Sequence, residues 1–320
     1  MARIETISLA REGRPAAWWR TNATALLFMG PTALLVIVFF FLPVLLTLGM
    51  SFTDIATATG LTGWQWIGTA NYEQIFRGSF TGLIVRNTFF YVALTLTFNV
   101  LVGLLVALLS VHMADRAGGF FRAVWLLPRI SPSVVYALMW TWAAAPAPFG
   151  IMNDLVSPFG VAPRFWMNTD PWPFILFLNG FVGASLGMLV FTSAIESIPE
   201  DLFRAARVDG ANAWQIVRRI TLPLIRWPIL FVLVYQTMSL MASYEYILLT
   251  TNGGPGLYIT EVWSLWAFHT ALQSYYGNLE IGLGAAMAAI LVVGGVIVSA
   301  ILLRLFRFND LVTEPRVEIT

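Results

Sequence analysis

The chain of 320 residues contains no cysteine and no lysine, only two histidines, and few charges of either sign. Without cysteine there is no disulfide framework, no thiol nucleophile and no thiolate metal site. His112 and His269 stand isolated, with no companion ligands at metal spacing, so no metal chemistry is assigned to them. Lacking lysine, the chain cannot form a G-x-x-x-x-G-K-[ST] phosphate loop, and it supplies no catalytic residue for nucleotide hydrolysis. Charged residues make up 11% of the chain, against about 25% in soluble domains. A formal net charge of +1 offers no basic field for nucleic acid.

In place of charge the chain carries apolar runs. It is 58% hydrophobic, with a mean hydropathy of +0.76. Six nearly uncharged stretches are long enough to span a bilayer: Ala25–Met50, Asn87–Val111, Phe120–Ala144, Pro173–Ile195, Trp227–Leu249 and Ile281–Leu303. Each is expected to be a helix, because unpaired backbone amides cannot face lipid. Pro31, Pro43, Pro128 and Pro132 should bend the spans that hold them. The first twenty residues are polar and Arg-bearing, and the run behind them is too long for a signal core, so the first helix is expected to remain as an anchor.

The 18 basic residues are all arginines, and their distribution gives an orientation. Arg3, Arg11, Arg14, Arg20, Arg116, Arg122, Arg204, Arg207, Arg218, Arg219, Arg226, Arg304, Arg307 and Arg316 fall to one side. Only Arg77, Arg86 and Arg164 fall to the other. Both termini are therefore expected in the cytoplasm, consistent with six spans. The outer segments, Ser51–Arg86, Ala145–Trp172 and Thr250–Glu280, are rich in Gly, Pro, Asn and aromatics. Trp64, Trp66, Trp166, Trp172, Tyr275 and Tyr276 suit the interfacial belt, and Trp18, Trp19 and Trp263 are also read as anchors. The expected organisation is a tail at 1–22, one membrane domain at 23–308, and a tail at 309–320, without internal repeats.

Between the fourth and fifth spans, at about 197–226, lies a polar segment with helix punctuation. Ser197-Ile198-Pro199-Glu200 has the form of a capping box, with Ser197 as N-cap and Glu200 at N3. Glu200 and Asp201 suit the positive end of the helix dipole. Leu202, Ala205 and Ala206 give a small-residue face for close packing. Asp209-Gly210 should stop the helix with a left-handed residue, and a second helix is expected from Asn212 to Ile220. Physics alone leaves two readings: a hairpin without a partner, or a docking surface.

The wording of this segment resembles the coupling loop of binding-protein-dependent ABC importer permeases, E-A-A-x-x-x-G followed by I-x-L-P. Here it reads Arg204-Ala205-Ala206-Arg207-Val208-Asp209-Gly210-Ala211, then Ile220-Thr221-Leu222-Pro223. The likeness extends to Asn71-Tyr72, Asn87-Thr88, Gly150 with Asn153, Leu249-Thr250-Thr251-Asn252-Gly253-Gly254-Pro255, and Gly282 with Ala285. It is similar to the carbohydrate, maltose-type branch. The resemblance implies an all-α integral protein of a bacterial inner membrane, with six helices and a cytoplasmic helix-turn-helix that seats in an ATPase. ATP and Mg belong to that partner ATPase dimer. A second homologous permease, an extracytoplasmic solute-binding protein and a carbohydrate substrate are implied with it. Glu200, Asp201, Arg204, Ala205, Ala206, Asp209, Gly210 and Ala211 are the expected ATPase-coupling positions. Arg204 departs from the family's Glu, which leaves the specific salt bridge to the ATPase open, with Glu200 or Asp201 as substitutes.

A polyol path needs hydrogen-bonding groups and aromatic faces. Asn99, Arg129, Trp140, Gln236, Tyr244 and Glu245 are the candidates, with Asn179, Ser185, Ser239, Ser243 and Tyr246 nearby. Glu245 has three readings: substrate path, structural pair, or the outer interface. Arg129 either snorkels to the headgroups or lines the path, paired with Glu196 or facing an anionic substituent. Cargo alternatives are a sugar phosphate or sulfonate, a polyamine or a phosphonate. An intramembrane enzyme would need convergent His, Asp or Glu residues. An ion-coupled secondary transporter would show paired carboxylates and inverted repeats. Neither pattern is visible in the sequence.

Overall fold

The computed structural model describes residues 27–60, 62–146, 148–273 and 278–306. The expected tails at 1–22 and 309–320, with their arginines, lie outside the described residues, as do Trp18, Trp19, Tyr275, Tyr276 and Arg307. Among the described residues every regular element is helical, apart from one antiparallel bridge between Thr53 and Trp66. The chain divides into two units, Met1–Gly49 and Met50–Thr320. The described part of the first is apolar helix, α1 (Leu27–Met50), with a π-turn at Ile37–Phe41 just ahead of Pro43, which cannot donate to the helix ladder.

The second unit opens with α2 (Ala70–Arg77), α3 (Thr81–Val111), α4 (Asp115–Ile130), α5 (Ser133–Ala143), α6 (Ile151–Val156) and α7 (Trp166–Thr169). It continues with α8 (Pro171–Glu196), α9 (Glu200–Val208), α10 (Ala213–Ile216), α11 (Arg226–Ala242), α12 (Glu245–Thr250), α13 (Trp263–Leu272) and α14 (Ile281–Leu305). Four helices, α1, α3, α8 and α14, are each long and apolar enough to cross a bilayer. The α4–α5 pair counts as a fifth only if its 97° bend lies within one span.

Two of the six expected spans are therefore broken. The third breaks at Ser131-Pro132, where proline holds Ser131 extended (φ −69°, ψ 140°) and out of the helix. The fifth gives α11, of 17 residues, and stops at Ser243, extended at ψ 119°. No proline or glycine marks this second break; tertiary hydrogen bonds make it. The Ser243 carbonyl accepts from Ser264 Oγ of α13 at 3.0 Å, and its hydroxyl lies 3.2 Å from Tyr91 OH of α3 and from Asn179 Nδ2 of α8.

α3 and α8 form the most extensive helix pair. They approach closely because Gly103 of α3 faces Ala184 and Gly187 of α8, and Gly183 and Gly187 form the small-xxx-small spacing suited to helices in lipid. A Cβ on Gly103 would lie 2.8 Å from the Ala184 carbonyl oxygen and 3.0 Å from Gly187 Cα, both backbone. Buried amides lock the rest. Asn99 and Gln236 meet at 3.1 Å, Gln236 Nε2 donates to Gly183 O at 2.7 Å, and Asn179 donates to Tyr91 OH.

Several of the sequence-recognised residues prove to be loop clamps. Asn87 Nδ2 lies 2.9–3.1 Å from the carbonyls of Tyr258, Ile259 and Glu261. Asn71 donates to Ser51 and Thr53, while Asn153 spans Ala145 and Arg164 and accepts from Trp166 Nε1. Trp263 is not an interfacial anchor. It is 5% exposed and its Nε1 donates to Met287 O of α14 at 2.8 Å, which fixes the indole in the α13–α14 contact.

Replacing Gly103 by Val should push α3 from α8 and cost roughly 1–3 kcal/mol, as overpacking does. Gly82→Ala, on the same helix with nothing within 4 Å, should stabilise slightly. Thermal unfolding of the two purified variants would show opposite shifts.

Candidate functional site

The two helix breaks serve one cavity of about 370 Å³. It is lined by Arg129 from α4, Asn179, Val182 and Gly183 from α8, and Tyr235, Gln236 and Ser239 from α11. The second break itself, Ser243 and Tyr244, completes the wall with Glu245 and Tyr246. Arg129 stands in the last turn of α4 and Glu245 at the start of α12, so each charge complements the helix end that carries it. Beyond the breaks, α5 and α12 pack together, with the Tyr136 and Tyr246 rings edge to face at 6.2 Å. Tyr244 stacks on Phe268 at 4.8 Å.

The structure thus brings Arg129, Gln236, Tyr244 and Glu245 together and leaves two candidates outside. Asn99 is fully buried at the α3–α11 joint, and Trp140 packs edge-on against Phe177 at 5.4 Å. Arg129 does not pair with Glu196. That carboxylate is taken by Arg122 Nη1 at 2.5 Å. Tyr235, 49% exposed, lines the cavity and was not among the candidates, since it sits in an apolar run that reads as a lipid face.

A second feature is the α9–α10 hairpin. The expected capping box at Ser197 is absent: Ser197 ends α8, its Oγ turns back to Ala194 O at 2.7 Å, and Pro199 becomes the N-cap of α9. Only three residues separate the helices, so Ser197 serves the earlier one. The capping box lies instead at Asn212 and Gln215, with reciprocal hydrogen bonds of 2.9 and 2.8 Å. Gly210 does stop α9, at φ +79°, and the bonds Gly210 N to Arg207 O and Ala211 N to Ala206 O form a Schellman motif. The second helix does not end at Ile220; it runs through a π-turn at Val217–Thr221 and a last turn at Leu222–Leu224.

Arg204 pairs within its own helix, with Glu200 at 2.7 Å and Asp201 at 3.7 Å. All three side chains are exposed, so these pairs add little stability. Leu202, Ala205, Val208 and Trp214 face outward, while Ala206 turns partly inward with Phe203, which shifts the expected small-residue face by one position. Behind the hairpin, against the ends of α3 and α8, lies a cavity of about 460 Å³ lined in part by His112, Glu196, Phe203 and Arg207.

His269 is not isolated. Its Nδ1 lies 2.9 Å from Oε1 of Glu261, which is 2% exposed, and its Nε2 lies 3.0 Å from Asn252 Oδ1. The pair joins a residue just ahead of α13 to one eight positions on within that helix, a spacing that sequence inspection does not single out. Among the described residues no group of three or more His, Cys, Asp or Glu side chains forms a metal-holding cluster.

Apolar helices, a cavity at paired helix breaks and a capped hairpin joining α8 to α11 define a transport permease. Residues 99–308 match the binding-protein-dependent transport system inner membrane components, and the chain belongs to that family. A probable ABC transporter permease of Bacillus subtilis is 31% identical over 301 residues, covering 91% of this chain and 92% of its own. The trehalose/maltose transport system permease of Thermococcus litoralis is 27% identical, covering 91% and 96%. The sulfoquinovosyl glycerol transport system permease of Agrobacterium fabrum is 26% identical, covering 89% and 91%. The fold is shared with a bacterial alginate ABC transporter solved in complex with a pentasaccharide-bound periplasmic protein. That likeness has a TM-score of 0.78 and 24% identity, and covers 92% of this chain and 98% of the other.

Gly210→Val should cost about 1–2 kcal/mol, because a β-branched residue resists the left-handed conformation, whereas Gly210→Asn should be tolerated. Hydrogen–deuterium exchange over residues 206–211 should quicken in the first variant and not in the second.

Proposed function

We propose that this chain is the permease subunit of an ATP-binding-cassette importer for a carbohydrate or carbohydrate derivative. The observation that carries the reading is the cavity at the two helix breaks. Tyrosine faces from Tyr235, Tyr244 and Tyr246 stand beside Gln236, Ser239 and Glu245, a set suited to sugar C–H surfaces and hydroxyls. The carbohydrate names of several relatives agree with that lining.

In this reading the chain crosses the inner membrane six times, α4–α5 and α11–α12 each being one broken span. The α9–α10 hairpin and both termini face the cytoplasm, which agrees with the exposed Arg204, Arg207, Arg218, Arg219 and Arg226 around the hairpin. The hairpin seats in a partner ATPase that binds ATP and Mg, a second permease completes the path, and a solute-binding protein delivers cargo. Leu202, Ala205, Val208 and Trp214 form the apolar contact with the ATPase, and Gly210 sets the turn between the two helices. Because Arg204 already engages Glu200 and Asp201, docking relies on that apolar face more than on a salt bridge. ATP is hydrolysed in the partner, and this chain converts its closure into helix movement.

The complex purified with its ATPase, partner permease and binding protein, in nanodiscs, should show ATPase activity stimulated by one member of a saccharide panel. Leu202→Asp should abolish that stimulation and weaken co-purification of the ATPase. Full stimulation in that variant would remove the hairpin from the coupling role.

A further inference from the structure

We infer that the cavity takes a saccharide bearing an acidic substituent, and that Arg129 holds that group; this rests on the saccharide path proposed above. Among the described residues Arg129 is the only cation in the cavity wall and Glu245 the only anion. Both open on the same space, yet no ion pair joins them, and neither side chain has a hydrogen bond among the described residues. The neutral polar groups are largely spent on the protein. Gln236 Nε2 is held by Gly183 O, and Asn179 and Ser243 are held by each other and by Tyr91.

Arg129 is exposed on this open space in the last turn of α4, so its five guanidinium donors are available to a ligand. Hydroxyls alone do not call for a cation, since Tyr244, Ser239 and Glu245 already offer donors and acceptors for them. The guanidinium fork instead matches a carboxylate, sulfonate or phosphate, taking two parallel hydrogen bonds. Glu245 lies at the start of the neighbouring helix and accepts from sugar hydroxyls, so the cavity has a cationic and an anionic side. A ligand with one acidic group and several hydroxyl donors fits that polarity in one orientation. A volume near 370 Å³ falls within the range of small-molecule sites.

The test is equilibrium binding to the whole complex in nanodiscs, with methyl glucuronoside, a 6-sulfo-glucoside and a 6-phospho-glucoside as probes. Neutral methyl glucoside is the reference. At least one acidic probe should bind roughly tenfold tighter than the neutral one, a difference of about 1.4 kcal/mol. Arg129→Gln should bring that ratio near one, and Arg129→Lys should keep part of it. The three acidic probes separate carboxylate, sulfonate and phosphate. Equal binding of neutral and acidic probes to the unaltered complex would overturn the inference while leaving the saccharide path intact. So would an Arg129→Gln effect that weakens all probes alike or blocks assembly with the second permease. If no probe binds at all, the saccharide path fails and the inference falls with it.

Discussion

Every backbone amide inside a bilayer must find a partner within the protein, and the two broken spans show side chains meeting that demand. At the second break the Ser243 carbonyl is met by Ser264, and its hydroxyl joins Tyr91 and Asn179. Three helices thus hold one interruption open. At the first break Ser131 Oγ returns to Leu127 O at 3.0 Å, within its own chain segment. The freed space is what the side chains of Arg129, Tyr244 and Glu245 line, and neither charge would be tolerated on an unbroken lipid-facing helix.

The cavity and the hairpin are joined by rods. α8 carries Gly183 in the cavity wall and ends at Glu196, a separation of about 20 Å at 1.5 Å per residue. α11 returns from Arg226 to the cavity at Tyr235 and Ser239. Because α8 is locked to α3 by glycine contacts and to α11 by the Gln236 amide, a displacement at the hairpin reaches the cavity as motion of packed helices. In the proposed importer, that is the mechanical link between ATP hydrolysis and cargo movement.

Much of this was legible in the sequence where the signal is local. Hydropathy located the helical runs, and Gly210 stopped α9 as its left-handed role required. The break at Ser131-Pro132 is partly announced by proline. The break at Ser243 is not, since it is made by side chains 64 and 152 positions away in the chain. The same holds for the Glu261–His269 pair and for Trp263, whose indole finds a carbonyl on α14. Capping residues failed for a different reason. Ser197 and Asn212 both have the right chemistry, and only the three-residue spacing of α8 and α9 decides between them. Of the path candidates, Asn99 and Gln236 look alike in sequence, yet one is sealed in a helix joint and the other reaches the cavity wall.

The chain lacks cysteine, so a single thiol can report whether the cavity is wet. Ser239→Cys places one in the cavity wall, and Leu101→Cys places one on the outer face of α3, at a position 60% exposed in the isolated chain. The measurement is the rate of reaction with a charged, membrane-impermeant thiol reagent in the assembled complex. A water-filled path lined by broken helices predicts rapid labelling at Ser239→Cys, slowed by cargo, and little at Leu101→Cys. Equal and slow labelling at both positions would contradict it.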